Sequence, residues 1–273
     1  MYEILEKKVM SDTVKLMKVK APLVAKKAKA GQFIILRIDE KGERIPLTIA
    51  DYDRKKGSVT IIFMEVGKTT KQLGTLNVGD ALLNFVGPLG QPSDIEKYGT
   101  VVMIGGGVGI APLYPIVREL KQIGNYVISI LGARNEKLLM LEKEVEEFSD
   151  ELFITTDDGS KGHKGFVSDV LQKLIDEGRD IKMVMAIGPV IMMKVVANVT
   201  RPYKIKTLVS LNPIMVDGTG MCGGCRVSVG DETKFACVDG PEFDGHKVDY
   251  DNLILRNRRF CCEEEESCKL AGV

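Results

Sequence analysis

The stretch VVMIGGGVGIAP, residues 101–112, decides how the middle of the chain folds. Residues 101–104 are an uninterrupted apolar run, the form taken by a strand that is buried on both faces of a parallel sheet. A glycine-rich turn follows, and residues 110–123 have the apolar spacing of a helix. Such a turn lets backbone N–H groups approach a pyrophosphate at the positive end of a helix dipole. The stretch therefore predicts the first strand, turn and helix of a nucleotide-binding domain.

Strands and helices alternate after this stretch. Further strands are predicted at residues 126–131, 152–156, 183–187 and 205–211, and helices at 136–148, 166–177 and 190–199. This alternation predicts a five-stranded parallel sheet with helices on both faces. The glycine spacing is not G-x-G-x-x-G, and no acidic residue closes the second strand to hold a ribose 2′-hydroxyl. Arg134 follows that strand instead, and it is compatible with either a 2′-phosphate partner or a solvated charge.

The first third of the chain has a β-rich pattern. Short runs of β-branched or alternating residues lie at residues 2–9, 13–19, 32–38, 45–50, 58–66 and 81–86. Charged turns that contain glycine separate several of these runs, and only residues 70–76 have a helical pattern. Many short strands with frequent turns predict a small antiparallel barrel or sandwich.

Two pieces of this β-rich region are candidates for binding. The first is RIPLT at residues 44–48, and the second is GKTTKQL at residues 67–73. A helix N-terminus with free N–H groups and hydroxyl side chains suits a pyrophosphate. Taken alone, each piece also has a structural interpretation, because Arg44 is then a surface charge and Thr69 or Thr70 an ordinary helix N-cap.

Three of the six cysteines lie in DGTGMCGGCRVSVGDETKFAC, residues 217–237. Cys222 and Cys225 form a C-x-x-C pair, and Cys237 follows after eleven residues. Thiolates at this spacing suit zinc or an iron–sulfur cluster, and a [2Fe-2S] cluster normally takes four ligands. The surrounding glycines permit a tight backbone wrap and exceed what a zinc knuckle needs. An iron–sulfur cluster is therefore favoured over zinc.

The composition limits the class of protein. The 273 residues predict two domains and a small appendage, and the 38 basic residues are balanced by 38 acidic ones. The sequence has no cluster of positive charge, so it gives no indication of a nucleic acid or an anionic membrane surface as partner. The N-terminus has no apolar signal region, and the longest apolar stretch, residues 101–117, is interrupted by glycine and proline. All cysteines lie in the last fifth of the chain, unlike the dense, even scatter of cysteines in a secreted disulfide-bonded protein. A reducing, cytoplasmic location is therefore expected.

Several motifs together resemble the ferredoxin–NADP reductase family. RIPLT, G-x-x-T-x-x-L at 67–73 and GPLG at 87–90 resemble its FAD-binding barrel, and GGGVGIAP at 105–112, TTDDGS at 155–160 and GPVIMM at 188–193 resemble its nucleotide domain. The resemblance implies an α+β multidomain protein. Its expected parts are an antiparallel FAD-binding β-barrel at 1–97, an NAD(P)-binding α/β domain at 98–213, and a [2Fe-2S] lobe at 214–273.

The same resemblance assigns the cofactor-binding residues. In the barrel, a flavin would be flanked by Arg44 and Thr48 and lined by Pro46 and Leu47, and its pyrophosphate held by Gly67, Thr69 and Thr70. The family's usual R-x-aromatic-Ser pattern would place the arginine at position 45, so Arg44 is displaced by one residue and no tyrosine stacks on the ring. In the nucleotide domain the implied residues are Gly105, Gly107, Gly109, Ala111, Pro112, Arg134, Asp157, Asp158, Gly188, Pro189 and Met192.

The cysteine lobe resembles that of the electron-transfer subunit of dihydroorotate dehydrogenase type B and of the small subunit of NADH-dependent ferredoxin:NADP oxidoreductase (Nfn type). In their C-x4-C-x2-C-x11-C pattern the first cysteine position falls on Asp217. A carboxylate can also bind iron, so Asp217 can take the place of that cysteine. The implied ligands are Asp217, Cys222, Cys225 and Cys237. The alternatives are that Asp217 only caps the turn, or that Cys261, Cys262 or Cys268 completes the site. The aspartate and the residues around it favour the Nfn type.

The expected activity is that of an oxidoreductase subunit of the ferredoxin–NAD(P)+ reductase type. NAD(P)H would pass hydride to FAD, and FAD would pass single electrons to the cluster, with no separate acid–base residue because the cofactors carry the chemistry. The Nfn resemblance implies a heterodimer with a larger flavin and iron–sulfur subunit, a link to ferredoxin through that complex, and electron bifurcation. The rival interpretations are the dihydroorotate dehydrogenase B subunit, a stand-alone flavin reductase and a zinc-binding module. The pattern does not distinguish NAD from NADP.

Overall fold

The computed structural model describes residues 1–270, and residues 271–273 of the expected third part lie outside the described residues. The strands form two seven-stranded sheets and one two-stranded hairpin. Within residues 1–270, no helix is both long enough and apolar enough to cross a membrane.

The first sheet is an antiparallel β-barrel, as the pattern of short strands predicts. Its strands are β1 (Tyr2–Val9), β2 (Val14–Lys20), β3 (Phe33–Arg37), β4 (Ile45–Asp53), β5 (Ser58–Met64), β6 (Ala81–Leu82) and β7 (Asn84–Leu89). They are ordered β6-β1-β2-β5-β4-β3-β7, and every pair is antiparallel. Only Leu83 separates the two edge strands along the chain. The edges of the sheet therefore approach each other, and the barrel is nearly closed.

Two short helices accompany the barrel. Helix α2 (Lys68–Thr75) confirms the predicted helix and begins two residues before it. Helix α1 (Pro22–Lys27) was not predicted, because six residues are too few to show a 3.6-residue period. Proline at its first turn suits a helix start, and Val24 and Ala25 are buried in the barrel core.

The second sheet contains the five parallel strands that the alternating pattern predicts. Its elements are β8 (Thr100–Gly106), α3 (Ile110–Gln122), β9 (Tyr126–Ala133), α4 (Glu142–Glu147), β10 (Glu151–Thr156), β11 (His163–Lys164), α5 (Val167–Asp176), β12 (Ile181–Ile187), α6 (Val190–Thr200) and β13 (Lys206–Ser210). The strands are ordered β11-β10-β9-β8-β12-β13 and are all parallel. The short strand β11 extends one edge.

The helix predicted over residues 136–148 is shorter than expected. The chain forms a 3₁₀ turn at Glu136–Leu138 and then α4. Between them Leu141 adopts a left-handed conformation with φ 53°, and Met140 is buried in the core. A left-handed residue cannot continue a right-handed helix, so the apolar run is divided between a loop and a short helix.

The remaining elements are attached to the second sheet. They are β14 (Arg226–Val229), β15 (Glu232–Phe235), β16 (Glu242–Asp244), α7 (Tyr250–Asn257) and α8 (Cys261–Leu270). Strand β16 pairs antiparallel with β13, so that Phe243 lies opposite Val209. One apolar cluster includes Phe33 of the barrel, Val209 of the parallel sheet, and Cys225 of the lobe. All three regions therefore share one core, and the division at 97 and 213 remains our proposal for the domains.

Asn125 connects the segment that enters the parallel sheet to the end of α3. Its side chain is 2% exposed. The amide oxygen accepts from the N–H groups of Tyr98 (2.8 Å) and Gly99 (3.1 Å), and the amide nitrogen donates to the carbonyls of Glu96 (2.9 Å) and Leu120 (3.0 Å). The residue thus binds four backbone groups at once, and the bond to the Leu120 carbonyl is fully buried.

Replacing Asn125 by alanine should lower the free energy of unfolding by about 3 kcal/mol, because four backbone groups lose their partner away from water. The measurement is urea denaturation of the full chain, followed by circular dichroism. Asn77→Ala is the matched control, since Asn77 is exposed and its amide nitrogen donates only to the Thr75 carbonyl, at 3.3 Å. Equal stability of the two variants would contradict the assignment.

Candidate functional site

The glycine turn after β8 has one open position and one crowded position. Gly107 begins the 3₁₀ turn with φ 56°, and nothing lies within 4 Å of the place where a Cβ would stand. At Gly109 a Cβ would collide with the carbonyl oxygen of Ile187, at the end of β12. The turn is therefore pressed against the neighbouring strand, while the backbone at Gly107 faces free space.

The structure brings the predicted residues of 188–193 to this turn. A Cβ on Gly188 would lie 2.8 Å from Met192 Cε and 3.1 Å from Gly106 Cα. Pro189 is the N-cap of α6 and lies near Gly106 as well. Two of the three motifs are thus in direct contact at the carboxyl edge of the sheet, where open α/β sheets bind ligands.

Three further predicted residues differ in how much they expose. Gly105 is buried at the end of β8. Ala111 is 1% exposed and packs into the core, so only its backbone is available to a ligand. Pro112 is half-buried in the first turn of α3, where proline is compatible with a helix.

The loop at 155–160 folds against the end of β9. The N–H of Asp157 donates to the Ala133 carbonyl at 3.1 Å, and that of Asp158 donates to the Arg134 carbonyl at 3.2 Å. Asp158 accepts from both the hydroxyl (2.7 Å) and the N–H (2.9 Å) of Ser160, and these hydrogen bonds lower the pKa of its carboxyl. Asp158 therefore shapes the loop, whereas the side chains of Asp157 and Arg134 are exposed.

The predicted flavin strand is partly uncovered. Pro46, Leu47 and Thr48 are half-buried on β4, and they lie opposite Ile35, Ile34 and Phe33 of β3 in register. Side chains alternate along a strand, and Leu47 packs against the barrel core. Pro46 and Thr48 therefore share the opposite face of β4, and they are the two side chains of this set that a planar ring outside the core can reach.

Arg44 makes contacts that the sequence did not predict. Its Nε donates to the carbonyl of Val216 at 3.1 Å, and one Nη donates to the carbonyl of Asp217 at 3.4 Å. The side chain therefore joins the start of β4 to the cysteine stretch.

The N-terminus of α2 contains the other barrel residues. Gly67 is the N-cap of the helix, so neither Thr69 nor Thr70 is the N-cap that the structural interpretation expected. Thr70 is the third helical residue, and its Oγ1 accepts from the N–H groups of Val66 and Gly67, both at 3.0 Å. The Thr69 hydroxyl donates to the carboxylate of Glu43. No neighbouring heavy atom lies within 4 Å of the position that a Cβ on Gly67 would occupy. The end of the helix thus presents open backbone with two hydroxyls beside it.

The cysteine stretch lies directly on the barrel. Gly218 has φ 76°, and a Cβ there would be 2.8 Å from both Ile35 Cγ1 and Leu89 Cδ1. Only a glycine permits this close approach in this conformation. Because Ile35 is paired with Pro46, the predicted cluster site and the predicted flavin strand are neighbours.

The four predicted metal ligands occur as two pairs. Cys222 Sγ lies 3.5 Å from Asp217 Oδ1, and Cys225 Sγ lies 3.1 Å from Cys237 Sγ. Cys222 is exposed, whereas Cys225 and Cys237 are 2% and 3% exposed. Within residues 1–270, no three His, Cys, Asp or Glu side chains are grouped so as to hold a single metal ion. The donor set therefore has the form of two adjacent pairs, not of a one-ion cage.

One member of each pair has a shifted pKa. Hydrogen bonds from the Thr219 N–H and from Cys222 lower the pKa of the Asp217 carboxyl, so this group is an anion. Burial, together with the neighbouring Cys225, raises the pKa of Cys237 to about 12. A thiol in this position becomes a thiolate ligand only when a cation compensates for its burial.

Cys261, Cys262 and Cys268 lie apart from these pairs, on α8, with two exposed and one half-buried. Two other side chains contact the C-x-x-C turn and were missed by the sequence analysis. Arg226 donates to the Gly223 carbonyl and Arg256 to the Gly224 carbonyl, each at 3.0 Å. Arg226 follows Cys225 directly and could have been noticed, whereas no motif marks Arg256.

Comparisons with protein families match the two regions that contain the motifs. Residues 103–198 match the oxidoreductase NAD-binding domain, and residues 212–249 match the iron–sulfur cluster binding domain of dihydroorotate dehydrogenase B. The first match includes the glycine turn, and the second includes both ligand pairs.

Whole-chain relatives extend the comparison. An uncharacterized protein in the adh 3′ region of Clostridium beijerinckii is 53% identical over 97% of this chain and 92% of its own length. A dihydroorotate dehydrogenase B (NAD(+)) electron transfer subunit homolog of Thermotoga maritima is 51% identical over 90% of this chain and 87% of its own. A chain in a solved structure of NADH-dependent reduced ferredoxin-NADP oxidoreductase, from a study of flavin-based electron bifurcation, superimposes with a TM-score of 0.95 at 46% identity, covering 100% of this chain and 98% of that one.

The first two relatives share the sequence over most of the chain, and the solved structure also shares the arrangement of its parts. The chain therefore belongs to the family that includes the dihydroorotate dehydrogenase B electron transfer subunits, their homologues, and the matching chain of the NADH-dependent reduced ferredoxin-NADP oxidoreductase structure.

Proposed function

We propose that the chain is the electron-transfer subunit of a ferredoxin:NAD(P) oxidoreductase complex, in which electrons move between NAD(P)H, FAD and a [2Fe-2S] cluster. The observation that carries this proposal is the packing of the cysteine stretch on barrel strands β3 and β7, with Gly218 against Ile35 and Leu89, beside β4, which pairs with β3. Electron transfer needs closely spaced cofactors, and this packing makes the two proposed cofactor sites neighbours.

The cluster would be held by Asp217 and Cys222 as one pair and by Cys225 and Cys237 as the other. The residues fit a two-iron group, because each iron of a [2Fe-2S] cluster takes two protein ligands. A structural zinc ion is the alternative, and the density of glycines in this stretch exceeds what a zinc knuckle needs. The positive-φ glycines at 218, 220 and 223 let the backbone wrap around the group.

The flavin would lie on β4, with Pro46 and Leu47 against the ring and Thr48 and Arg44 at its border. The pyrophosphate would be held by Gly67, Thr69 and Thr70 at the N-terminus of α2, where the open backbone at Gly67 and the helix dipole favour an anion. The hydrogen bonds from Arg44 to residues 216 and 217 would hold the cluster loop next to the flavin strand.

The nucleotide would bind across the carboxyl edge of the parallel sheet. Its pyrophosphate would be met by the glycine turn, with Gly105, Gly107 and Gly109, and by Ala111 and Pro112 at the start of α3. Proline has no backbone N–H, so Pro112 would border the pyrophosphate without donating to it. The nicotinamide would be bordered by Asp157, Asp158, Gly188, Pro189 and Met192, and Arg134 is the candidate partner of a ribose 2′-phosphate. When bound, the nicotinamide supplies a hydride, the flavin converts the pair of electrons into single ones, and the cluster takes one electron at a time.

The proposed partner is a larger subunit with flavin and iron–sulfur groups, through which ferredoxin is reached. Support comes from the full-length match to a chain of the NADH-dependent reduced ferredoxin-NADP oxidoreductase structure. Cys222 and the adjacent Met221, which is 88% exposed, place one end of the ligand set at the surface. All six cysteines are unpaired thiols, which supports a reducing cytoplasm.

The alternative is the electron-transfer subunit of dihydroorotate dehydrogenase B, which the family match at 212–249 favours. The subunit of that name in Fusobacterium nucleatum is 34% identical, however, against 46% for the ferredoxin-NADP oxidoreductase chain. Mixing the NADH-reduced chain with a dihydroorotate dehydrogenase B catalytic subunit distinguishes the two functions, since only the alternative predicts rapid reduction of that subunit's flavin.

Asp217→Asn should lose most of the iron, whereas Asp217→Cys should retain it. Asparagine keeps an oxygen that can accept the hydrogen bonds of the turn, but it removes the anionic ligand. Cysteine removes that oxygen and supplies a thiolate as the anionic ligand instead. Iron and sulfide are measured per purified chain, together with the visible spectrum.

The matched pair also tests the role of Asp217 as a turn cap. Its carboxylate accepts from the N–H groups of Thr219 and Cys222, both at 3.1 Å. If capping were its only role, Asp217→Asn would retain the iron and Asp217→Cys would lose it. That result would contradict the ligand assignment.

Gly107→Ala should weaken nucleotide binding roughly tenfold, which corresponds to the loss of one charge-assisted hydrogen bond. The new methyl group fits the protein but stands in the space that the pyrophosphate would use. Gly178→Ala is the control, because Gly178 also has a positive φ (74°) and open space around its Cβ position, and lies after α5. Both variants should lose about 1 kcal/mol of stability from the left-handed backbone.

Binding is measured by titrating each variant with NAD+ and with NADP+, which cannot reduce the oxidised flavin, and following the change in the flavin absorption spectrum. An unchanged affinity in Gly107→Ala, or an equal loss in Gly178→Ala, would show that the turn at 107 does not meet the nucleotide.

A further inference from the structure

Two arginines from different elements hold the backbone of the C-x-x-C turn. Arg226, at the start of β14, donates to the Gly223 carbonyl at 3.0 Å. Arg256, in the last turn of α7, donates to the Gly224 carbonyl, also at 3.0 Å. Gly223 and Gly224 are the two residues between Cys222 and Cys225. The guanidinium groups are therefore placed next to the ligands themselves.

Arg256 is fixed by a rigid support. Helix α7 begins at the N-cap Asp249, whose carboxylate accepts from the Asn252 N–H at 3.0 Å. The N–H of Asp249 donates to the carbonyl of Ser228 at 2.9 Å, and this bond joins α7 to β14. Tyr250 and Leu253 are 5% and 1% exposed, in the same apolar cluster as Cys225 and Cys237. The helix and the ligand loop thus share one core.

The positive charge at this place has no acidic partner in the described part of the chain. Of the ion pairs within residues 1–270, none involves Arg226, Arg256 or Arg259. Burial and the charges of Arg226 and Arg259 lower the pKa of Arg256. Its Nε is buried and makes no hydrogen bond. Like charges brought together beside a buried donor are costly unless an anion is bound near them.

We propose that Arg256, assisted by Arg226, is the counter-charge of the cluster and raises its reduction potential. This inference rests on the proposed function, in which Asp217 and the three cysteines hold a [2Fe-2S] group. Four anionic ligands around a doubly positive core make the oxidised site negative, and reduction adds one electron without making or breaking a bond. A fixed guanidinium nearby stabilises the more negative, reduced form. Arginine suits this role because it stays protonated even when partly buried.

Arg256→Gln removes the charge and keeps a hydrogen-bond donor. The variant should shift the one-electron equilibrium of the cluster toward the oxidised form by about tenfold, which is 59 mV for a one-electron couple. Arg256→Lys keeps the charge and should restore most of the shift. The potential is measured on the full chain by redox titration with mediators, with the EPR signal of the reduced cluster as the readout, and iron content is determined for each sample.

Arg258→Gln is the matched control, because Arg258 is an exposed neighbour at the C-cap of α7 whose charge is screened by water. It should shift the potential much less. An unchanged potential in a fully loaded Arg256→Gln variant, or an equal shift in Arg258→Gln, would overturn the proposal.

The remaining outcomes are also decisive. If Arg256→Gln does not hold iron, the reduction potential of the cluster is measured in Arg226→Gln instead, which removes the charge of the other arginine. Loss of iron in both glutamine variants, with retention in Arg256→Lys and Arg226→Lys, supports the counter-charge; loss in all four shows that the arginines only shape the turn. A wild-type chain that binds no iron would instead refute the proposed cluster. Failure of the proposed cluster is thereby distinguished from failure of the proposed counter-charge.

Discussion

The contact between Gly218 and the barrel is the constraint on which the rest of the site depends. A side chain at this position would overlap Ile35 and Leu89, and the positive φ would strain any residue other than glycine. Arg44 secures the same contact from the barrel side through the carbonyls of residues 216 and 217. These interactions place Asp217, the proposed anionic ligand, next to the strand that is proposed to carry the flavin. The three regions thus act as one electron-transfer unit.

The parallel sheet and the barrel were predictable because each has a strong local signal. The apolar run at 101–104 and the glycine turn after it define β8 and α3, and the alternating short runs before residue 90 define the barrel strands. The short helix α1 and the break at Leu141 were not predictable, since each depends on burial of only a few side chains against distant strands. Strand β16 pairs with β13 across more than thirty residues, and such a pairing leaves no local pattern.

The three cysteines of the proposed ligand set were visible from their spacing, and Asp217 was proposed only from the resemblance to the family, whereas the surroundings of the set could not be predicted. Cys222, Cys225 and Cys237 stand in a pattern typical of metal binding, and the structure adds that they and Asp217 form two pairs. Arg256 lies on α7, which follows β16 along the chain, after the lobe has returned to the parallel sheet. Charge placed by tertiary structure in this way is invisible to motif analysis. It also gives the lobe a means of adjusting cluster chemistry that is separate from the ligands.

We infer that one chain links a nicotinamide nucleotide to a two-iron cluster through a flavin. The measurement to make is an anaerobic visible and EPR spectrum of the purified chain before and after addition of NADH or NADPH. We expect a flavin absorption band that bleaches with the nucleotide and an EPR signal of a reduced [2Fe-2S] cluster that appears with it. A chain that binds flavin without iron, or a colourless chain, would contradict the claim.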